Sequence, residues 1–109
     1  MTSNSHAARD VDTEALATLS EYLELALDKG GSLILVRTPG GKSEVYLGDP
    51  ALLQEDWAHL GAIPEPVARA ILEGTRSGLN ELTIQAQSYR FVRLFAQVAD
   101  VGAVVFVAA

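Results

Sequence analysis

The 109-residue sequence contains no cysteine. That excludes disulfides, thiolate metal sites and a cysteine nucleophile, and it leaves burial alone to hold the fold. Basic residues are few: eight Lys and Arg stand against fourteen Asp and Glu, a formal net charge of −6. Nucleic-acid binding needs a basic face that displaces counterions from phosphate, so this balance argues against it. No apolar run approaches the roughly 20 residues that a membrane-spanning helix needs. The longest, residues 101–109, reads as a strand. The first ten residues lack the apolar segment of a secretory signal, so the expected location is cytoplasmic.

What is present is the composition of a globule, with 49% hydrophobic and 20% charged residues. The length suits one domain. Residues 1–10 are polar and aperiodic and read as a flexible tail, with a single domain over 11–109. The first helix is expected from Asp12, its N-cap, to Lys29, with Val11 and Leu16 as a hydrophobic staple. Leu16, Leu19, Leu23, Ala26 and Leu27 keep helical spacing and make one apolar stripe. Gly30 ends the helix.

Ser32 to Arg37 is apolar on both faces, as a central strand would be. Pro39-Gly40 fits a type II turn, and Ser43 to Leu47 returns as the second strand. Asp49-Pro50 carries the signature of a helix start, and Leu53, Trp57 and Leu60 follow at helical spacing up to Gly61. A further helix begins in Ile63-Pro64-Glu65-Pro66, buries Val67, Ala68, Ile71 and Leu72, and stops at Gly74 or Gly78. Three strands complete the chain: Glu81–Gln87, Tyr89–Val98 and, after a turn at Asp100-Val101-Gly102, Gly102–Ala108. The last is apolar on both faces and belongs inside the sheet.

The element order is thus α-β-β-α-α-β-β-β. It predicts an α+β fold with a five-stranded antiparallel sheet and helices on both faces. Across residues 12–109 this order resembles profilin-like and PAS/GAF-like sheets and the small roadblock-type domains. Roadblock-type domains add a helix after the fifth strand, and these 109 residues carry none there.

Few residues carry chemistry. Gly40-Gly41-Lys42-Ser43 ends like a phosphate-binding loop, but the position five residues before Gly41 is Val36 where that motif has glycine, and a strand follows instead of a helix. His59 has Glu55 and Asp56 on neighbouring helical positions, the raw material of a general base. No serine stands in a nucleophile elbow, and one histidine with two carboxylates does not specify a metal. No catalytic residue, metal or cofactor is therefore assigned. Trp57 is read as core, or as the wall of a ligand cavity between helix and sheet. Tyr89, Phe91, Arg93, Phe95 and Gln97 share one strand face; they are core under a helix or, if exposed, an interface. Charge is uneven: eleven acids and three bases lie in 10–65, three acids and four bases in 66–109. Arg69 and Arg76 fall on one helix face.

The expected function is a small non-enzymatic protein-interaction or regulatory module, homodimeric, with Glu81–Gln87 as a free edge strand open to pairing. The alternative is a PAS/GAF-like small-ligand sensor, and the third reading is a hydrolase using His59. Neither nucleic acid nor membrane is an expected partner.

Overall fold

The computed structural model describes residues 2–98 and 101–109, with side chains from residue 12 onward. Helix α1 spans Thr2–Lys29, followed by β1 (Ser32–Thr38), β2 (Lys42–Gly48), a 3-10 turn (Gln54–Asp56) and β3 (Ala58–Pro64). Then come α2 (Glu65–Gly74), β4 (Gly78–Ile84), β5 (Gln87–Val98) and β6 (Val101–Ala108). The class is α+β, as expected, but the sheet has six antiparallel strands in the order β3-β2-β1-β6-β5-β4. The two strands that are apolar on both faces, β1 and β6, form its central pair.

The sixth strand replaces the expected helix over residues 50–60. Asp49 does not cap a helix: its Oδ1 accepts from Ala51 N at 2.9 Å, closing a local turn instead. Trp57 then folds back under Gly48, donating from Nε1 to Asp49 O at 2.7 Å. A Cβ at Gly48 would lie 2.5 Å from Trp57 Cδ1, so only glycine admits the indole there. With Trp57 pinned, Ala58–Pro64 leaves in extended form and pairs with β2. Leu53, expected in the core, is 66% exposed, whereas Trp57 is buried.

The helices also sit differently from expectation. Both lie on one face of the sheet, packed against each other over Leu33, Leu35, Val45, Phe91 and Phe106. From α1 this core takes Leu19 and Leu23, with Ala26 also buried; Leu27, read as part of the stripe, faces solvent. From α2 it takes Val67, Ala68 and Ile71. The start of α1 is continuous from Thr2 through Asp12, so Asp12 is an internal residue rather than the N-cap. The side chains of residues 1–11, and with them the Val11 staple, lie outside the described residues. So does Asp100 in the turn expected before β6.

Gly40 adopts a positive φ in the β1–β2 hairpin, as the Pro-Gly turn requires, and Lys42 opens β2 rather than a helix. The β4–β5 hairpin is less orthodox. Its two turn residues, Gln85 (φ 53°) and Ala86 (φ 66°), are both left-handed, the geometry of a type I′ turn that favours Asn-Gly. An L side chain in that region costs roughly 1–2 kcal/mol. The double change Gln85→Asn, Ala86→Gly should therefore stabilise the protein by about 1 kcal/mol after the extra chain entropy of glycine is counted. Urea melts of the two proteins would measure it, and an unchanged or lower midpoint would contradict the geometry.

Candidate functional site

Register rows across the antiparallel sheet divide its side chains between two faces. One row on the face without helices runs Leu94–Val105–Ile34–Tyr46–His59. The next runs Ala96–Ala103–Val36–Glu44–Ala62, and a shorter one Leu79–Val92–Val107. Among the described residues this open face is covered only by the segment that carries Trp57. Ile34, Val36, Ala103 and Val105 are buried at its centre. Around them Leu94 is 46% exposed and Leu79 and Val101 each 37%, with Val92, Ala96, Val98 and Val107 half-buried. A solvated antiparallel face normally alternates to polar residues. Here β5 turns valine, leucine and alanine outward instead.

The opposite corner of the open face is polar. His59 Nε2 lies 2.6 Å from Glu44 Oε1 on the adjacent strand. The His59 ring stacks obliquely on Tyr46, 5.2 Å between centroids, and Tyr46 in turn meets Trp57 at 5.8 Å. Gln54 Nε2 donates to the Tyr46 hydroxyl at 3.0 Å. Glu55 and Asp56, the carboxylates placed beside His59 by helical spacing, stand exposed on the 3-10 turn. The β3 strand directs His59 to Glu44 instead. His59 and Glu44 are partly open to solvent, and among the described residues no group of three or more His, Asp and Glu side chains is placed to hold a metal. Trp57 does not line a cavity between helix and sheet; it packs on the other face, against Gly48.

On the covered face, the Tyr89–Gln97 row separates into three environments. Tyr89 and Phe91 are core. The Tyr89 hydroxyl donates to Glu24 Oε1 at 2.8 Å; that carboxylate acceptor, then burial, raises the phenol above its ordinary pKa. Arg93 Nη1 sits within 3.0 Å of Leu72 O, Thr75 O and Thr75 Oγ1, satisfying carbonyls at the C-terminus of α2. Phe95 is 66% exposed, with the Arg93 guanidinium 5.6 Å from its ring centre. Arg76 is not on a helix face with Arg69. It follows α2, and its Nε donates to Leu79 O.

At the N-terminal end of α2, Glu65 Oε1 accepts from Arg37 Nη2 at 2.7 Å and from Arg69 Nη2 at 3.2 Å. Those two bonds, Arg37 first, hold the Glu65 carboxyl below the usual carboxylate range. Beside this triad, α2 and the β6–β5 side of the sheet enclose a groove of about 310 Å³. The phosphate-loop-like string contributes only Ser43 to its wall.

Sequence reasoning found β4 as an edge strand, although the strand spans Gly78–Ile84 rather than Glu81–Gln87. It missed the open aliphatic face, because periodicity shows that a strand has two apolar faces without showing which one receives a helix. No helix among the described residues is long and apolar enough to cross a membrane. The chain matches no protein-family model, no curated protein and no solved structure.

Proposed function

We propose that this protein is a non-enzymatic interaction module that pairs with a second copy of itself through the open face of its sheet. The observation that carries this reading is the aliphatic surface of Leu79, Val92, Leu94, Ala96 and Val101, which no helix covers. Exposed contiguous apolar surface marks interaction sites. Homodimer interfaces are the more apolar class, and this patch has no charge at its centre. At its corner Glu81 and Arg90 stand opposite each other on the same face, so a two-fold-related copy meets both signs. Two such faces would stack as an intermolecular β-sandwich, with the sheets about 10 Å apart.

Face packing is favoured over pairing of the β4 edge. Edge hydrogen bonds replace bonds already made to water and each gains only about 1 kcal/mol. The aliphatic face loses exposure only when another surface covers it. Four strands at about 4.8 Å spacing and six residues of length present roughly 400 Å² per copy in projection, below the roughly 600–1,000 Å² per partner of standard interfaces and in the range of weak, transient ones. A weak dimer, with Kd on the order of tens of micromolar, is expected. Sedimentation velocity between 1 µM and 200 µM tests it. A single species at the monomer mass over that whole range would overturn the reading.

A further inference from the structure

The groove beside α2 lies on the other face of the sheet, away from the proposed dimer surface. Its floor and one wall are a single register row, Leu35, Val104 and Phe95, and its other wall is Ala68 and Leu72 of α2. Phe95 leaves two-thirds of its surface exposed here, and the Arg93 guanidinium over its ring holds it in place. The lining is therefore apolar along its length.

One end is not. Arg37 and Arg69 converge there on a single carboxylate oxygen of Glu65, each through one Nη2. No bond within the described residues engages the remaining guanidinium N–H groups of either arginine. Ser43, 8% exposed between them, makes no side-chain hydrogen bond among the described residues. Lys42 adjoins the same end, lining a smaller depression with Arg37, Ser43 and Glu65. Two guanidinium groups thus share one carboxylate, a local excess of positive charge in a chain whose overall charge is −6. The global field repels anions, so this local excess selects them by contact. Planar guanidinium forks suit a carboxylate.

We infer that the groove binds a free medium-chain carboxylate, its head on Arg37, Arg69 and Ser43 and its single chain along Leu35, Leu72, Val104 and Phe95. The volume of about 310 Å³ is of the size of one alkyl chain and falls below that of even two turns of a helix, whose diameter with side chains is about 10–12 Å. The apolar walls supply affinity and the guanidinium end fixes polarity.

The experiment titrates dodecanoate, below its micelle concentration, into the protein and follows the methyl resonances of Leu35, Leu72 and Val104. Saturable one-to-one binding is expected, with Kd on the order of 100 µM. Dodecanol and dodecyltrimethylammonium should bind at least about tenfold more weakly, and so should dodecanoate to the double variant Arg37→Gln, Arg69→Gln. Gly102→Leu should abolish binding by filling the groove. A Cβ at Gly102 meets nothing within 4 Å, so the fold should tolerate it. Phe95→Ala, at an exposed position, gives an independent loss of several-fold. No saturable shift, equal affinity for all three head groups, or undiminished binding to Gly102→Leu would each overturn the proposal. So would binding to phosphatidylglycerol vesicles without a response to free dodecanoate. Leu94→Glu, on the opposite face, should leave the titration unchanged, so failure of the dimer and failure of the groove are separable.

Discussion

Leu94→Glu should abolish the proposed self-association and leave a monomer at every concentration up to 200 µM. Leu94 heads the row Leu94–Val105–Ile34 at the middle of the open face. It is 46% exposed in the single chain, so the monomer accommodates a charged side chain there with little strain. In a sandwich of two such faces the same carboxylate would be buried twice, once from each copy, with no cation opposite it. Leaving a charge uncompensated in an interface costs several kcal/mol, which is at least about a hundredfold in Kd. Leu27→Glu is the matched control. Leu27 is 55% exposed on α1, on the covered side of the molecule, and the change should leave the sedimentation profile as it is. A dimer that survives Leu94→Glu would place the contact elsewhere on the surface.

Gly48→Ala should be the most destabilising single methyl this chain can receive at a glycine. The added Cβ would stand 2.5 Å from Trp57 Cδ1 and 2.9 Å from Cγ, distances that force a shift. The indole has little freedom to give way. Its Nε1 is bonded to Asp49 O, its ring meets Tyr46, and its inner face covers Ile34 and Val105. Overpacking of this kind costs about 1–3 kcal/mol, and displacing the indole also uncovers part of the open face. A total near 3 kcal/mol would lower the melting temperature by roughly 12–20 °C. Trp57 is the only tryptophan, so its emission should shift to the red in the folded state as well. Gly31→Ala offers the contrast. Its Cβ would approach Leu47 Cδ1 at 3.0 Å and Cγ at 3.2 Å, with Gly48 N at an ordinary 3.4 Å, and the loss should be smaller. Unchanged melting and emission for Gly48→Ala would mean that residues 49–57 do not pack as described.

These two positions also mark how far the sequence could be read. The central strands were legible because β1 carries the unbroken apolar run Leu33–Val36 and β6 has no polar side chain, and α2 because Pro64 and Pro66 bracket its start. Residues 50–60 read as a helix because Asp49-Pro50 and the Leu53–Trp57–Leu60 spacing satisfy one locally. The decisive interaction is the fit of Trp57 to Gly48, a contact between elements that carries no periodic signal. The same limit hid the functional geometry. Helical spacing would set His59 beside Glu55 and Asp56, whereas strand register brings it to Glu44, fifteen residues away. The groove joins Arg37 of β1 to Arg69 of α2 and Phe95 of β5, three elements whose neighbourhood depends on the crossover from β3 through α2 to β4. Uneven charge was visible in the sequence, but the bases that gather around Glu65 come from both halves of that count.

The strand order has a consequence for how the chain reaches this state. The sheet is two local meanders, β1-β2-β3 and β4-β5-β6, joined by one seam between β1 and β6. Each meander closes through local connections, the longest being the nine residues 49–57 between β2 and β3. The seam pairs Leu33 with Phe106, about seventy residues apart, so its loop-closure entropy is paid before any of its contacts form. Refolding should accordingly take milliseconds to seconds rather than microseconds. Val105→Ala, at the seam, should slow it several-fold in stopped-flow measurements; a change confined to the unfolding rate would place seam formation after the barrier. Until the seam closes, each half presents as an unpaired edge the strand that is apolar on both sides. The residues that make the finished core secure are therefore the ones most prone to aggregate on the way to it.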